Sequence, residues 1–378
     1  MELMQANRQW ATRTPDERFL SLLDMESFMD KKRRITRESD VDYSVIEAQP
    51  RENDGLVLAP KGDSVNGMAL SNWGFTQLCA AAKAPSRYIA SLPAPIAATN
   101  LNHGLANAEK GKILWERGTG KVSQADKATQ PTIVSVGSDS YGRVWNLDVV
   151  RYLIQTFGDG VNGDWRVPGE FGILTPVTKQ NTTLYASDRD MFVFLADEKN
   201  KVQINNRRDG KHGALSRGFF LWNSENGDGS IGGAYFLNDY TCANRIVWGV
   251  QYYQPFKFRH RGESVYDRFM SALLPAVNHM KTVSLGPTDA TIKAAQTKLL
   301  GHTDEDAIDF LIAKGGFTKA TSEKMLAIHV QEEGEPVRTV WGAVTAATAF
   351  ARGVPNTNNR VNIEKAAGKI LDLVAERA

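Results

Sequence analysis

A change of hydrophobic period near Ser264 constrains this chain more than any other feature. Before it, residues 170–262 carry short apolar and aromatic runs (MFVFLA, GFFLW, AYFL, RIVWGVQYY) separated by turns rich in Gly, Asn and Asp. Such runs fit a pleated, antiparallel meander better than alternating strand–helix units. After Ser264 the spacing lengthens to 3.6, with Val265, Phe269, Leu273, Val277 and Met280 on one helical face and Ser264 with Asp267 placed as a capping box. Further helices are predicted over 288–300, 303–313, 321–332, 339–352 and 361–377, with Thr303 as an N-cap and Gly315 as a stop.

The N-terminal part mixes both periods. Residues 15–30 place Phe19, Leu22, Leu23, Phe28 and Met29 at helical spacing after Pro15, and YSVIEA and GLVLAP read as strands. Ser71 or Asn72 can cap a helix that stops at Pro85; another helix is expected over 96–109, then the strand KILWERG. Residues 118–130 are polar and read as a loop or boundary. TIVSVG then leads through a turn to Asn146, placed to cap LDVVRYLIQTFG. The expectation is an α+β protein. An N-terminal mixed region (1–117) precedes a central, largely antiparallel sheet (131–262), and a C-terminal helical layer (263–378) packs on that sheet.

With 42% hydrophobic and 23% charged residues over 378 positions, the chain has the composition of a folded globular protein. Two cysteines, Cys79 and Cys242, make neither a disulfide framework nor a zinc site. The N-terminal stretch has no apolar signal core and no run of eighteen apolar residues occurs, so a cytoplasmic protein that does not span a membrane is expected. A net charge of +2 makes no case for nucleic acid, but the charge is unevenly spread. Basic runs lie at Lys31–Arg37, at Lys201–Arg217 and at Lys257–Arg261.

Chemical motifs are few. Gly118-Thr119-Gly120-Lys121 is followed by Val122 and lacks the Lys-Ser/Thr ending of a phosphate loop, and there is no Gly-x-Ser-x-Gly elbow. The loop Asn223-Ser224-Glu225-Asn226-Gly227-Asp228-Gly229 is rich in oxygen, yet its spacing is not that of an EF-hand. A structural turn or ligand-contacting loop is the simpler reading, with no metal and no cofactor expected. Glu225 and His260 could form an acid–base pair if the fold brought them together. The basic and aromatic residues are interleaved, the pattern by which single strands are held: cations track phosphates and rings stack on bases. Arg207, Arg208, Lys211, Arg217, Arg245, Lys257, Arg259, His260 and Arg261 would supply the cationic surface, Trp222, Trp248 and Tyr253 the rings, and Asn223, Ser224 and Glu225 the groove-edge loop. The plainer alternative is that the strand aromatics are core and the arginines solvated.

Three motifs occur in order: Asn223-Ser224-Glu225-x-Gly-x-Gly, Cys242-Ala243-Asn244-Arg245-Ile246-Val247-Trp248-Gly249 and Arg259-His260-Arg261-Gly262. Together they resemble the phage and plasmid-like proteins grouped as domain of unknown function 932. Ala6–Trp10, Asp16–Phe19, Ala84-Pro85-x-x-Tyr88, Leu92-Pro93 and Thr339–Trp341 extend the resemblance over most of the chain. Arg245 stands where members of that group carry glycine. The resemblance implies a bacterial mobile-element protein. By analogy of context and architecture it suggests a non-enzymatic single-stranded DNA binder, an annealing protein working as a homo-oligomer in the host cytoplasm. The alternatives are a metal-dependent nucleic-acid-processing enzyme centred on Glu225, Asp228 and His260, or a host-interaction protein that binds another protein.

Overall fold

The computed structural model describes residues 17–51, 55–63, 65–118, 130–167, 177–179, 182–204, 213–239, 245–246, 256–282, 286–354 and 357–375. These form an α+β fold with two sheets and a C-terminal helical layer, as the change of period predicts.

The first sheet is built from β2 (Thr36–Val41), β3 (Ile46–Arg51), β4 (Gly55–Pro60), β5 (Met68–Leu70), β6 (Gly111–Glu116) and β7 (Thr132–Ser138), in the order β2-β6-β7-β5-β4-β3. Only β5 and β7 run parallel. The segment 131–138, assigned from sequence to the central region, therefore hydrogen-bonds inside the N-terminal sheet. Helices α2 (Asn72–Ala81), α3 (Ser86–Ile89) and α4 (Ala94–Leu105) cover this sheet and bury Leu78, Leu101, Leu105 and Ile133. Ser71 caps α2 by accepting from Gly74 N at 2.9 Å, one of the two predicted positions.

The predicted helix over 15–30 starts later. Arg18–Phe19 is a short strand, β1, paired with Tyr185 and Leu184, and helix α1 spans Leu22–Ile35 behind an N-cap at Ser21. Ser21 Oγ accepts from Asp24 N, and this cap, rather than Pro15, sets where the helix begins. The basic run Lys31–Arg34 closes α1, where cations favour the helix end.

The second sheet is antiparallel throughout: β1, β8 (Trp165–Arg166), β9 (Leu184–Ala186), β10 (Met191–Ile204), β11 (Gly213–Asn223), β12 (Ile231–Asp239), β13 (Arg245–Ile246) and β14 (Phe256–Phe258). Strands β10 and β11 pair from Met191↔Asn223 to Ala196↔Gly218, shift register, and resume at Lys201↔Ser216. Phe219 and Leu221 pack with Phe157 of helix α5 (Asn146–Phe157) and with Trp165, while Phe220 on the other face stacks on Phe194 at 5.1 Å. Both faces of β11 are thus buried, at about 1.5–3 kcal/mol for each large apolar side chain.

From Val265 the chain is helical: α6 (Val265–Thr282), α7 (Gly286–Thr297), α8 (Asp304–Gly315), α9 (Lys319–Glu333), α10 (Val340–Arg352) and α11 (Thr357–Ala375). Thr303 caps α8 in a capping box with Asp306; the stop is Gly316, in the left-handed conformation, one residue beyond the predicted Gly315. An alanine-rich face of α10, including Ala343, Ala346 and Ala347, packs with Ile370 and Leu371 of α11. Leu215 of β11 is buried in the same cluster, which docks the helical layer onto the far end of the second sheet. No helix among the described residues is long and apolar enough to cross a membrane.

Candidate functional site

The Asn223–Gly229 turn connects β11 to β12 and is clamped between the two sheets, not displayed as an open loop. Asn223 Nδ2 donates to Val144 O at 2.7 Å and to Asn146 Oδ1 at 2.8 Å. Ser224 Oγ donates to Arg189 O and accepts from Asp228 N, and its carbonyl accepts from Tyr141 Oη at 3.0 Å. The Asn226 carbonyl takes three donors from the first sheet's layer: Trp73 Nε1 at 2.9 Å, Gln77 Nε2 at 2.8 Å and Ser135 Oγ at 3.0 Å. Its amide nitrogen donates to Asp188 O. Gly227 sits at φ +81, which lets the turn close inside this ring of partners.

Glu225 has a specific structural task. Its Oε2 accepts from Asn146 N at 2.8 Å, so a carboxylate from another segment caps α5. Asn146, predicted to be the cap, is instead the first helical residue; the cap position is Trp145, whose side chain cannot accept. The Glu225 carbonyl accepts from the Arg143 guanidinium, which also meets Glu38 Oε1 at 3.0 Å and is almost wholly buried. Burial pushes the Glu225 carboxyl above its ordinary value; the Asn146 N–H and the nearby Lys32 and Arg143 oppose that rise. The space beside it holds only about 10 Å³, room for one water, between Lys32, Arg33, Trp145 and Glu225.

His260 reaches the junction from the other side. Its Nδ1 lies 2.9 Å from Gly142 O, an acceptor, so Nδ1 carries the proton and donates. The ring stacks on Tyr141 with centroids 5.3 Å apart. Burial is the main reason its pKa falls to about 4, and Arg143 adds to the effect; the ring is neutral at pH 7. Glu225 and His260 are each committed to backbone groups, and no hydrogen bond joins them. Among the described residues no group of three His, Cys, Asp or Glu side chains could hold a metal ion.

The nucleic-acid residues predicted from sequence scatter. Arg217 does not face solvent: it is 8% exposed and paired with Asp197 at 2.9 Å from both Nε and Nη2. Trp222 is buried too, its indole N–H donating to Ser230 Oγ, because the strand carrying it is covered on both faces. Neither can reach a phosphate or a base as placed. His260 is buried as described, and Asn223, Ser224 and Glu225 hold the junction. Arg245 lies in a short strand opposite Asn238. Lys257, Arg259 and Arg261 are exposed. Arg207, Arg208, Lys211, Trp248 and Tyr253 lie outside the described residues.

The structure adds residues that spacing did not suggest. Arg33 lies 3.9 Å over the half-buried Trp145 ring, and Arg189 lies 5.1 Å over Trp73. Each joins residues from distant segments, so no local motif announces it. The comparisons with family models, curated proteins and solved structures gave no match.

Proposed function

We propose that this protein binds single-stranded DNA without cleaving it, in the cytoplasm of a bacterial host and as a homo-oligomer that anneals strands. The observation that carries the reading is the segment Arg259–Arg261. His260 is buried and hydrogen-bonded between two exposed arginines, and neither guanidinium has an ion-pair partner among the described residues. A buried anchor flanked by two outward cations is a preorganised phosphate contact, because the backbone between them is already fixed. Exposed Lys257 extends the rim. Trp73 and Trp145, each overlaid by an arginine, offer partly exposed rings in place of Trp222.

A metal-dependent enzyme centred on Glu225, Asp228 and His260 fits less well. The carboxylate caps a helix, the imidazole holds a carbonyl, and the Asp228 backbone N–H closes the turn on Ser224. The resemblance to domain of unknown function 932 supports the mobile-element context.

Fluorescence anisotropy of a labelled oligothymidylate, titrated across a salt series, tests the proposal. Binding should weaken steeply with salt, and Arg259→Ala with Arg261→Ala should flatten the log–log slope by about 1.4, two phosphate contacts on a single strand. No binding at low salt would overturn the reading and direct attention to a host protein partner.

A further inference from the structure

The two outer strands of the first sheet, β3 and β2, are finished differently. In an antiparallel pair, alternate residues turn both N–H and C=O to the neighbouring strand, and the residues between turn them away. Lys61 N donates to Val45 O, so Glu47, Gln49 and Arg51 bond β4, and Ile46, Ala48 and Pro50 point off the sheet. That edge is closed. Asn102 of α4 lies along it as a strand would: its Oδ1 accepts from Ala48 N at 2.6 Å and its Nδ2 donates to Ala48 O at 2.9 Å. Pro50 has no N–H to offer.

The opposite edge is open. Arg117 N donates to Ile35 O, so Arg37, Ser39 and Val41 bond β6, and Thr36, Glu38 and Asp40 point outward. Thr36 is occupied, its N–H returning to Lys32 O and its carbonyl accepting from Arg37 Nη1. The backbone N–H and C=O groups of Glu38 and Asp40 have no partner among the described residues, and both residues are exposed. A free run of this kind is a template for one more strand.

The side chains decide which strand fits. Glu38 and Asp40 stand on one face of β2. Glu38 meets Arg143, while Asp40, opposite Lys112 of β6, makes no ion pair among the described residues. Two copies joined edge to edge about a two-fold axis would pair β2 with itself antiparallel, and only residues with outward groups can bond across that seam. The central registers set Glu38 of one copy against Glu38 or Asp40 of the other, and like charges directly opposite destabilise a pair. The edge therefore rejects a second copy of itself and matches a strand that carries cations.

We infer that β2 is a docking edge for another protein, an extended segment with Lys or Arg at alternate positions that adds to the first sheet as an antiparallel strand. The incoming cationic residues bond the backbone of Glu38 and Asp40 and lie beside their carboxylates. This edge is separate from the arginine rim proposed to hold DNA.

A short fluorescein-labelled peptide of alternating lysine and valine, titrated into the full-length protein and followed by anisotropy, tests this. Asp40→Pro removes an outward N–H and no ladder bond, a change an edge strand tolerates. Asp40→Asn removes the same charge and keeps the N–H. Saturable binding with Kd below about 1 mM is expected, and Asp40→Pro should bind about tenfold more weakly than Asp40→Asn. At saturation in the parent protein, amide hydrogen exchange should slow across residues 36–41 and stay unchanged across 46–51. That comparison decides even if Asp40→Pro fails to fold. No saturable binding overturns the inference, as do equal affinities of a folded Asp40→Pro and Asp40→Asn, or binding without protection of 36–41. A glutamate–valine peptide that binds as tightly overturns the cationic assignment.

Discussion

At the junction, the Asn223–Asp228 turn is fixed by partners 35 to 153 positions away, whereas the helices after Val265 are capped by residues three positions away. The junction turn makes its long-range hydrogen bonds only when both sheets are in place. The helical layer satisfies its ends locally and gains the rest from alanine-lined packing of α10 on α11. A damaged junction should therefore be felt by both sheets, while a damaged cap should loosen one helix.

Arg143→Met removes the cation that serves both Glu38 and the Glu225 carbonyl. It should cost about 3 kcal/mol, with hydrogen exchange accelerated in β2 and in β11 together. Faster exchange in one sheet alone would show that the junction does not couple the two sheets. His260 gives the next effect. Its folded pKa of about 4 lies below the ordinary 6.5, so the unfolded chain takes up a proton first as pH falls. The stability present above pH 6.5 is lost between pH 6.5 and about 4, by about 3 kcal/mol in full and less at intermediate pH. Urea unfolding at pH 7 and pH 5 should show this loss in the parent and not in His260→Asn. Glu225 runs the other way: its carboxyl is raised, so stability declines as pH rises from the ordinary carboxylate value through the raised one. Glu225→Gln keeps an acceptor for Asn146 N and should flatten that decline.

Thr303→Ala should cost about 1 kcal/mol, with faster exchange confined to the first turn of α8. Arg34→Ala removes an exposed i,i+4 pair with Asp30 and should stay within about 0.5 kcal/mol by the same urea measurement.

The same difference in range explains what the sequence made visible. Caps at Ser71 and Thr303 lie beside the helices they start, so spacing finds them. The cap of α5 comes from Glu225, 79 positions away, and nothing near Asn146 reveals it. Interleaved charge and aromatics look alike on a groove and in a core, so the sequence alone leaves both readings of Arg217 and Trp222 open. Only the register shift that brings Asp197 against Arg217, and the cover on both faces of β11, distinguish them. The period switch near Ser264 was legible because burial of a helix face repeats within a single segment. The antiparallel order of the central strands followed from their short turns, while the parallel β5–β7 contact spans a long connection and left no mark.

One strand ties the helical layer to the junction: Leu215 of β11 sits in the helical core, and Asn223, eight residues on, holds Val144 and Asn146. A strand has a period of two, so inserting or deleting a single residue between them would turn one anchor to the opposite face. Over evolutionary time the number of residues between Leu215 and Asn223 should stay fixed, and related chains should vary in length elsewhere.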